Sequence, residues 1–240
     1  GHLSLIKKAK KYKCKICVSI FVNPTQFNKK NDFKNYPRNL KSDIKKLKKL
    51  KINYLYLPTY SDIYSFKTKN EIYIDKFSKK LCGKFRKGHF EGVLNIVNRF
   101  LEILNPKYIF LGIKDFQQLI LIENHIKNNK LRTKVIECKT VRENNGVACS
   151  TRNLNLNNNE LLIASSIYWY LFKLNKKIKK NYKLLRLNKI KKDLISLGAT
   201  KIDYVENLFI KDFRKNKKLK KEFRLFAAYY INNIRLIDNI

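Results

Sequence analysis

The sequence predicts an α/β fold, a parallel sheet covered by helices, followed by a smaller C-terminal α+β domain. Three observations carry this expectation. Short β-branched runs alternate with amphipathic helical patterns through the first two-thirds of the 240 residues, as βα units require. Near Val141 the texture changes to a polar loop, which sets the expected boundary: residues 1–140 form one domain and 141–240 the other. With 44% hydrophobic residues, the chain can bury a core of its own.

In chain order, Leu3, Leu5, Ile6 and Ala9 make an apolar helix pattern directly after Gly1-His2. Ile16 to Val22 (ICVSIFV) is a near-continuous apolar run suited to a central buried strand. A helix is expected from about Lys34 to Leu50, because Leu40, Ile44, Leu47 and Leu50 share one face. Asn53 to Leu57 reads as a strand that Pro58 ends. Gly92 to Leu104 carries Val93, Ile96, Val97, Phe100, Leu101 and Leu104 on one helical stripe, closed by Pro106. Tyr108 to Leu111 is then a short strand, Asp115 to Asn128 a helix and Lys134 to Cys138 a strand. In the second domain a helix is expected from roughly Glu160 to Lys173, then a lysine-rich connector from Lys176 to Lys192. A helix pattern near Lys189 to Leu197, strand patterns at Ile202 to Ile210 and Phe223 to Ile231, and a final Asn233 to Ile240 complete the chain, with no internal repeat.

Composition alone points elsewhere, since 54 Lys+Arg against 18 Asp+Glu give a formal charge of +36. A field of that size attracts polyanions. Nucleic-acid binding through a basic face, however, usually clusters its charge beside a recognisable module or aromatic platform. Here the lysines run through almost every predicted element, so they read as a solvated surface and nucleic acid is not expected as a partner. No apolar stretch approaches the ~20 residues of a membrane span; Leu161 to Phe172 is short and interrupted by Ser165 and Ser166. Five cysteines, an odd number without framework spacing, make the reducing cytoplasm the expected compartment. Cys14 and Cys17 form a C-x-x-C at the start of the first strand run, and a buried structural role is expected for them rather than zinc or redox chemistry. The chain contains no Met and Gly1 falls inside a motif, so a preceding segment is expected.

Five polar signatures fall where a strand ends or a helix begins, the place where open α/β sheets gather ligand-binding groups. Gly1-His2 opens a helix, whose N-terminal N–H groups favour phosphate. Asn23-Pro24-Thr25-Gln26-Phe27 leaves the first strand with two carboxamides, which donate and accept together and suit a substrate bearing hydroxyl and carboxylate. A plain turn is the alternative. Arg86-Lys87-Gly88-His89-Phe90 sets two cations and a His before the next helix, an anion-receiving position. In Gly112-Ile113-Lys114-Asp115-Phe116-Gln117-Gln118 the glycine admits close approach and Lys114 can neutralise phosphate, while Asp115 is either functional or an N-cap. Ser150-Thr151-Arg152-Asn153 offers two hydroxyls and a guanidinium, suited to triphosphate oxygens, or else an N-capping loop. Taken jointly they imply a nucleotide-using enzyme.

The same residues resemble the pantothenate synthetases, the pantoate:β-alanine ligases of the nucleotidyltransferase superfamily. The resemblance runs from Gly1 to Asn239 and is most specific at Val18–Phe27 (VSIFVNPTQF), Tyr36–Arg38 (YPR), Gly88–Val93 (GHFEGV), Lys114–Leu119 (KDFQQL) and Ser150–Asn153 (STRN). It implies a Rossmann-like first domain holding ATP and pantoate, with the second domain contributing the Ser-Thr-Arg loop. It implies a pantoyl adenylate made from pantoate and Mg-ATP with loss of pyrophosphate, then attack by the β-alanine amine with loss of AMP. On this pattern His2 is the second histidine of an H-x-G-H motif, and His2, Lys114 and Arg152 are catalytic. Gly112, Ile113, Lys114, Asp115, Val141, Cys149, Ser150, Thr151 and Arg152 line ATP, Gln26 and Gln118 hold pantoate, and Asp43 matches the acidic position associated with Mg2+. A homodimer is implied.

The chain departs from the family pattern in several places. Cys82 stands where Glu is usual, Lys87 where Pro is usual, Ile113 where Glu is usual, and Ser42 occupies a position commonly acidic beside Asp43. The second hydroxyl of the Ser-Ser-Arg loop is Thr151. Two other readings compete: an adenylate-forming relative with a different acid and amine, and a non-catalytic basic protein of the same fold binding RNA or another polyanion.

Overall fold

The structure, a computed structural model, describes residues 1–28, 33–34, 36–210, 213 and 222–240. The chain divides into two compact units, Gly1–Lys139 and Thr140–Ile240.

The first unit is mixed α/β. Helix α1 (His2–Ala9) precedes strand β1 (Cys17–Ser19), helix α2 (Leu40–Lys49) and strand β2 (Tyr54–Tyr56). Asn39 caps α2, accepting the Ser42 N–H at 3.1 Å, so the helix begins there rather than at Lys34; Asn35 lies outside the described residues. Two short helices, α3 (Tyr60–Tyr64) and α4 (Leu81–Phe85), were too brief for any periodicity to announce. Helix α5 (His89–Leu104) leads to strand β3 (Tyr108–Gly112), helix α6 (Phe116–Asn128) and strand β4 (Lys134–Cys138). Helix α5 starts three residues before the expected Gly92, because Gly88 adopts φ +75° and turns the chain into it.

The strands are parallel, as expected, but they do not form one sheet among the described residues. Strand β1 pairs with β2, with Cys17 opposite Tyr54, and β3 pairs with β4, with Tyr108 opposite Lys134. The run Ile16–Val22 is therefore not the buried central strand its composition suggests: only three of its residues are laddered, and Cys17 and Ser19 are exposed. An apolar run is buried only when neighbours cover both its edges and its faces, and among the described residues β1 is laddered on one edge. For the same reason Cys14 and Cys17 are exposed thiols rather than buried ones.

The second unit packs helices α7 (Asn158–Lys180) and α8 (Leu187–Ser196) with an antiparallel sheet of β5 (Lys201–Phe209), β6 (Phe223–Ile231) and β7 (Ile234–Asn239) in that order. A capping box starts α7: Asn157 accepts from Glu160 N at 2.9 Å and Glu160 accepts from Asn157 N at 2.8 Å. The helix extends to Lys180, into the first five residues of the segment expected to be a connector, and α8 takes up the end of that segment from Leu187. Ile167, Leu171 and Ile178 stay buried at helical spacing while the lysines between them face outward. Strands β6 and β7 join through Asn232-Asn233, with Asn232 at φ +49°, a residue type that tolerates this region in two-residue hairpins. The core gathers Ala164, Ile167, Leu171, Ile190, Leu194, Val205 and Leu225. Two ion pairs brace the sheet, Arg142–Asp238 at 2.6 Å and Arg235–Asp203 at 2.7 Å.

Candidate functional site

In the first unit the predicted residues sit at strand and helix ends. His2 is the first residue of α1. Gly112 ends β3, the turn Ile113–Asp115 follows, and α6 begins at Phe116. Asp43 lies in the first turn of α2. These groups are electrostatic neighbours of the His2 imidazole. Although His2 as a residue is exposed, desolvation of the ring by surrounding atoms holds its pKa below the usual histidine value. Lys114 pushes in the same direction, while Asp115 and Asp43 oppose it. A neutral imidazole, an ammonium and two carboxylates thus share one region, able to neutralise anionic oxygens and exchange protons. Asp115 makes no side-chain cap for α6, so the capping reading of that carboxylate fails.

Asn23 and Gln26 part company. Asn23 is 2% exposed and its carboxamide is spent on the protein. Nδ2 donates to Gly92 O at 3.1 Å, and Oδ1 accepts from Thr25 N at 3.3 Å, Thr25 Oγ1 at 3.0 Å and Tyr64 OH at 3.0 Å. It builds the turn Pro24–Gln26 rather than meeting a ligand. Gln26 is half-buried at the end of that turn. Gly92 lets the two segments touch: a Cβ there would lie 2.5 Å from Thr25 O and 2.9 Å from Gln26 N.

The Arg86–Phe90 signature also behaves differently from its expectation. His89 is buried, with Nδ1 2.6 Å from Gln26 O, and Arg86 lies 3.2 Å from His89 Nε2 and donates to Gln26 O at 3.4 Å. These side chains turn inward onto the Gln26 carbonyl, so they do not form the open anion-receiving face that the charge pattern suggests.

Gln117 and Gln118, adjacent in sequence, are separated by the helix. Gln118 is half-buried. Gln117 is 5% exposed and fully used, donating to Phe77 O and Lys80 O, both at 2.7 Å, and accepting from Cys82 N at 3.0 Å. Sequence reasoning missed this anchor and a second one on His125. Its Nε2 donates to Asn98 Oδ1 at 3.0 Å and its Nδ1 accepts from Tyr73 N at 3.2 Å. Their only sequence signal is a polar residue on the apolar face of a helix.

In the second unit the 141–149 loop closes on itself, with Cys149 N donating to Val141 O at 2.9 Å and Glu143 N to Val147 O at 2.9 Å. Val141 is exposed. Burial and the adjacent Glu143 push the Cys149 thiol pKa up, and the thiol donates to Glu143 Oε1 at 3.1 Å. Ser150 caps the turn Thr151–Asn155, accepting Arg152 N at 3.2 Å, so that hydroxyl has the structural role. Thr151 and Arg152 are half-buried in the same turn.

A family profile described as pantoate-beta-alanine ligase matches residues 1–240. The chain belongs to this family. Relatives in the ligase family include the pantothenate synthetase of Flavobacterium psychrophilum, 39% identical over 246 aligned residues spanning 100% of this chain and 86% of that protein. The pantothenate synthetase of Francisella tularensis subsp. novicida is 38% identical, over 100% and 84%. Among solved ligases, one from Francisella tularensis in complex with beta-gamma ATP and beta-alanine superposes with a TM-score of 0.82 at 38% identity, covering 100% of this chain and 84% of that one. A pantothenate synthetase from Thermus thermophilus gives 0.88 at 26% identity, over 100% and 88%. The non-catalytic polyanion-binding reading finds no support in these matches. Among the described residues no helix is long and apolar enough to cross a membrane.

Proposed function

We propose that this chain ligates pantoate to β-alanine at the expense of ATP. The observation that carries the reading is full-length similarity, at 38% identity, to a ligase solved with an ATP analogue and β-alanine. The pantoate carboxylate oxygen attacks the α-phosphorus, the bond to the β-phosphate bridging oxygen breaks, and pyrophosphate leaves. The β-alanine amine then attacks the acyl carbon of the adenylate, AMP leaves, and the amine gives up a proton. No covalent bond to the enzyme is needed; positioning and charge neutralisation are the available tools.

Lys114, on the turn after β3, stabilises the charge that develops on the phosphates, and His2 at the start of α1 works beside it as a neutral donor. Gly112, Ile113 and Asp115 shape the same turn for ATP. From the second unit Val141, Cys149, Ser150, Thr151 and Arg152 are assigned to ATP by the family pattern, Arg152 as the guanidinium on the phosphates and Ser150 through the turn it caps. Gln26 and Gln118, the two half-buried carboxamides, hold pantoate.

Among the described residues no group of three or more His, Cys, Asp or Glu side chains could hold a resident metal ion. One carboxylate is sufficient when the ion arrives on the nucleotide, because Mg2+ is commonly held by one or two carboxylates plus substrate phosphates. Asp43 fits that role, and Mg2+ so bound offsets phosphate charge. A cytoplasmic homodimer completes the reading.

The experiment is AMP release from Mg-ATP with D-pantoate and β-alanine, each omitted in turn. AMP formation that requires both co-substrates is the expected result; AMP formed without pantoate, or none with all three, overturns it. Sedimentation at several concentrations tests the dimer.

A further inference from the structure

The turn bearing Gln26 is clamped from three sides, and each clamp acts on the main chain. Asn23 ties its start to Gly92 O and to Thr25 N. Gly92 packs against Thr25 and Gln26 with no room for a Cβ. His89 and Arg86 converge on the Gln26 carbonyl. The partners of His89 determine where its proton lies. A carbonyl can only accept, so Nδ1 carries the hydrogen; a guanidinium can only donate, so Nε2 is the bare nitrogen. Arg86, the His89 ring and the Gln26 carbonyl therefore form one directed relay of donors, closed by a second Arg86 hydrogen bond to the same oxygen. None of the bonds that fix the turn uses the Gln26 carboxamide.

We propose that His89 and Arg86 are positioning residues for pantoate, fixing the main chain of Gln26 so that its carboxamide meets the substrate in one orientation. The proposal rests on the reading of Gln26 as a pantoate ligand. The pair acts through the Gln26 carbonyl, and its effect is confined to one of the three substrates. A carboxamide on a loosely held turn would have to be ordered at each binding event, and that ordering costs affinity.

The test combines steady-state kinetics of AMP release with amide hydrogen exchange over residues 20–28, on the full chain and four variants. His89→Leu is expected to raise the pantoate KM about tenfold, the scale of one directed hydrogen bond, while the ATP KM stays within about twofold. Exchange over residues 20–28 speeds up. His89→Asn keeps a side-chain N–H near the Nδ1 position and restores both readouts. Gly92→Ala displaces the same turn without touching His89 and is expected to reproduce the pantoate-selective defect, which keeps the test decisive if His89→Leu does not fold. Equal rises in pantoate and ATP KM, failure of Asn to rescue, or wild-type exchange in His89→Leu overturns the proposal. Gln26→Ala separates the two readings. An unchanged pantoate KM in that variant removes Gln26 as the substrate ligand, while the exchange data still decide whether His89 anchors the turn.

Discussion

In unit Thr140–Ile240 the sheet strands run nine, nine and six residues and close over an apolar core with α7 and α8, and the buried Asp203 and Asp238 are paired with Arg235 and Arg142. In unit Gly1–Lys139 no described strand exceeds five residues, and the interior admits Asn23, His89, Asn98, Gln117 and His125. These five buried side chains share one task. Each takes hold of the main chain of an irregular segment: Asn23 and His89 the turn 24–26, Gln117 the segment 77–82, His125 and Asn98 the segment 70–73. Apolar contact is non-directional and serves to hold helices on a sheet, whereas a loop carrying a ligand-binding side chain needs a directional constraint. A satisfied hydrogen-bond network supplies that in a low-dielectric interior.

This contrast can be broken at its extremes. Ile167 is fully buried in the second unit's core, so Ile167→Ala should lower unfolding stability by about 4 kcal/mol, read as a shift in the urea midpoint; under about 1 kcal/mol would mean a core that collapses around the gap. Lys114→Ala should do the reverse. AMP formation drops by about 10²–10³-fold with the urea midpoint unmoved, because Lys114 is half-buried at a turn. Gln117→Leu tests the polar interior directly. It removes the side-chain bonds to Cys82 N, Phe77 O and Lys80 O, and a cost of about 2 kcal/mol is expected, where an apolar swap of similar size on an apolar face is close to neutral.

The smallest effect is a pH dependence. Burial holds the His125 pKa below its ordinary 6.5, against the opposing pull of Glu102. Below about pH 6.5 the unfolded chain therefore takes up a proton that the folded chain refuses, and stability falls with pH until the folded pKa is reached. Burial alone would raise the Glu102 carboxyl pKa, but hydrogen bonds from Asn70, Lys69 and Asn98 outweigh it and lower it. Its contribution is present above its unfolded pKa of about 4.5 and is lost as pH falls through the folded value. Urea unfolding at pH 7.5 and 5.5 should show the first loss, and His125→Gln should flatten the slope while lowering stability at both.

Long elements were readable from the chain. The stripe Val93–Leu104 and the run Phe223–Ile231 carry their own periodicity, and each appears as the expected helix or strand. Elements of five residues, such as Tyr60–Tyr64 and Leu81–Phe85, offer less than two helical turns and no period to detect. The site was readable as a set of residue types at strand and helix ends. The division of labour within each motif was not. Asn23 and Gln26 are the same functional group three positions apart, as are Gln117 and Gln118 one position apart, and only burial separates the internal anchor from its half-buried neighbour.

The sequence by itself determined the α/β order of elements, the change from parallel βα units to a smaller α+β unit and the turns on which chemistry-bearing residues stand, because period, proline and glycine act locally. Only the tertiary structure decided that Ile16–Val22 is laddered on a single edge among the described residues, that α7 continues through a run of lysines, and that His89 and Arg86 point at a carbonyl instead of at solvent. Those outcomes depend on which distant surface arrives to cover a side chain, and that is a property of packing which no local pattern encodes.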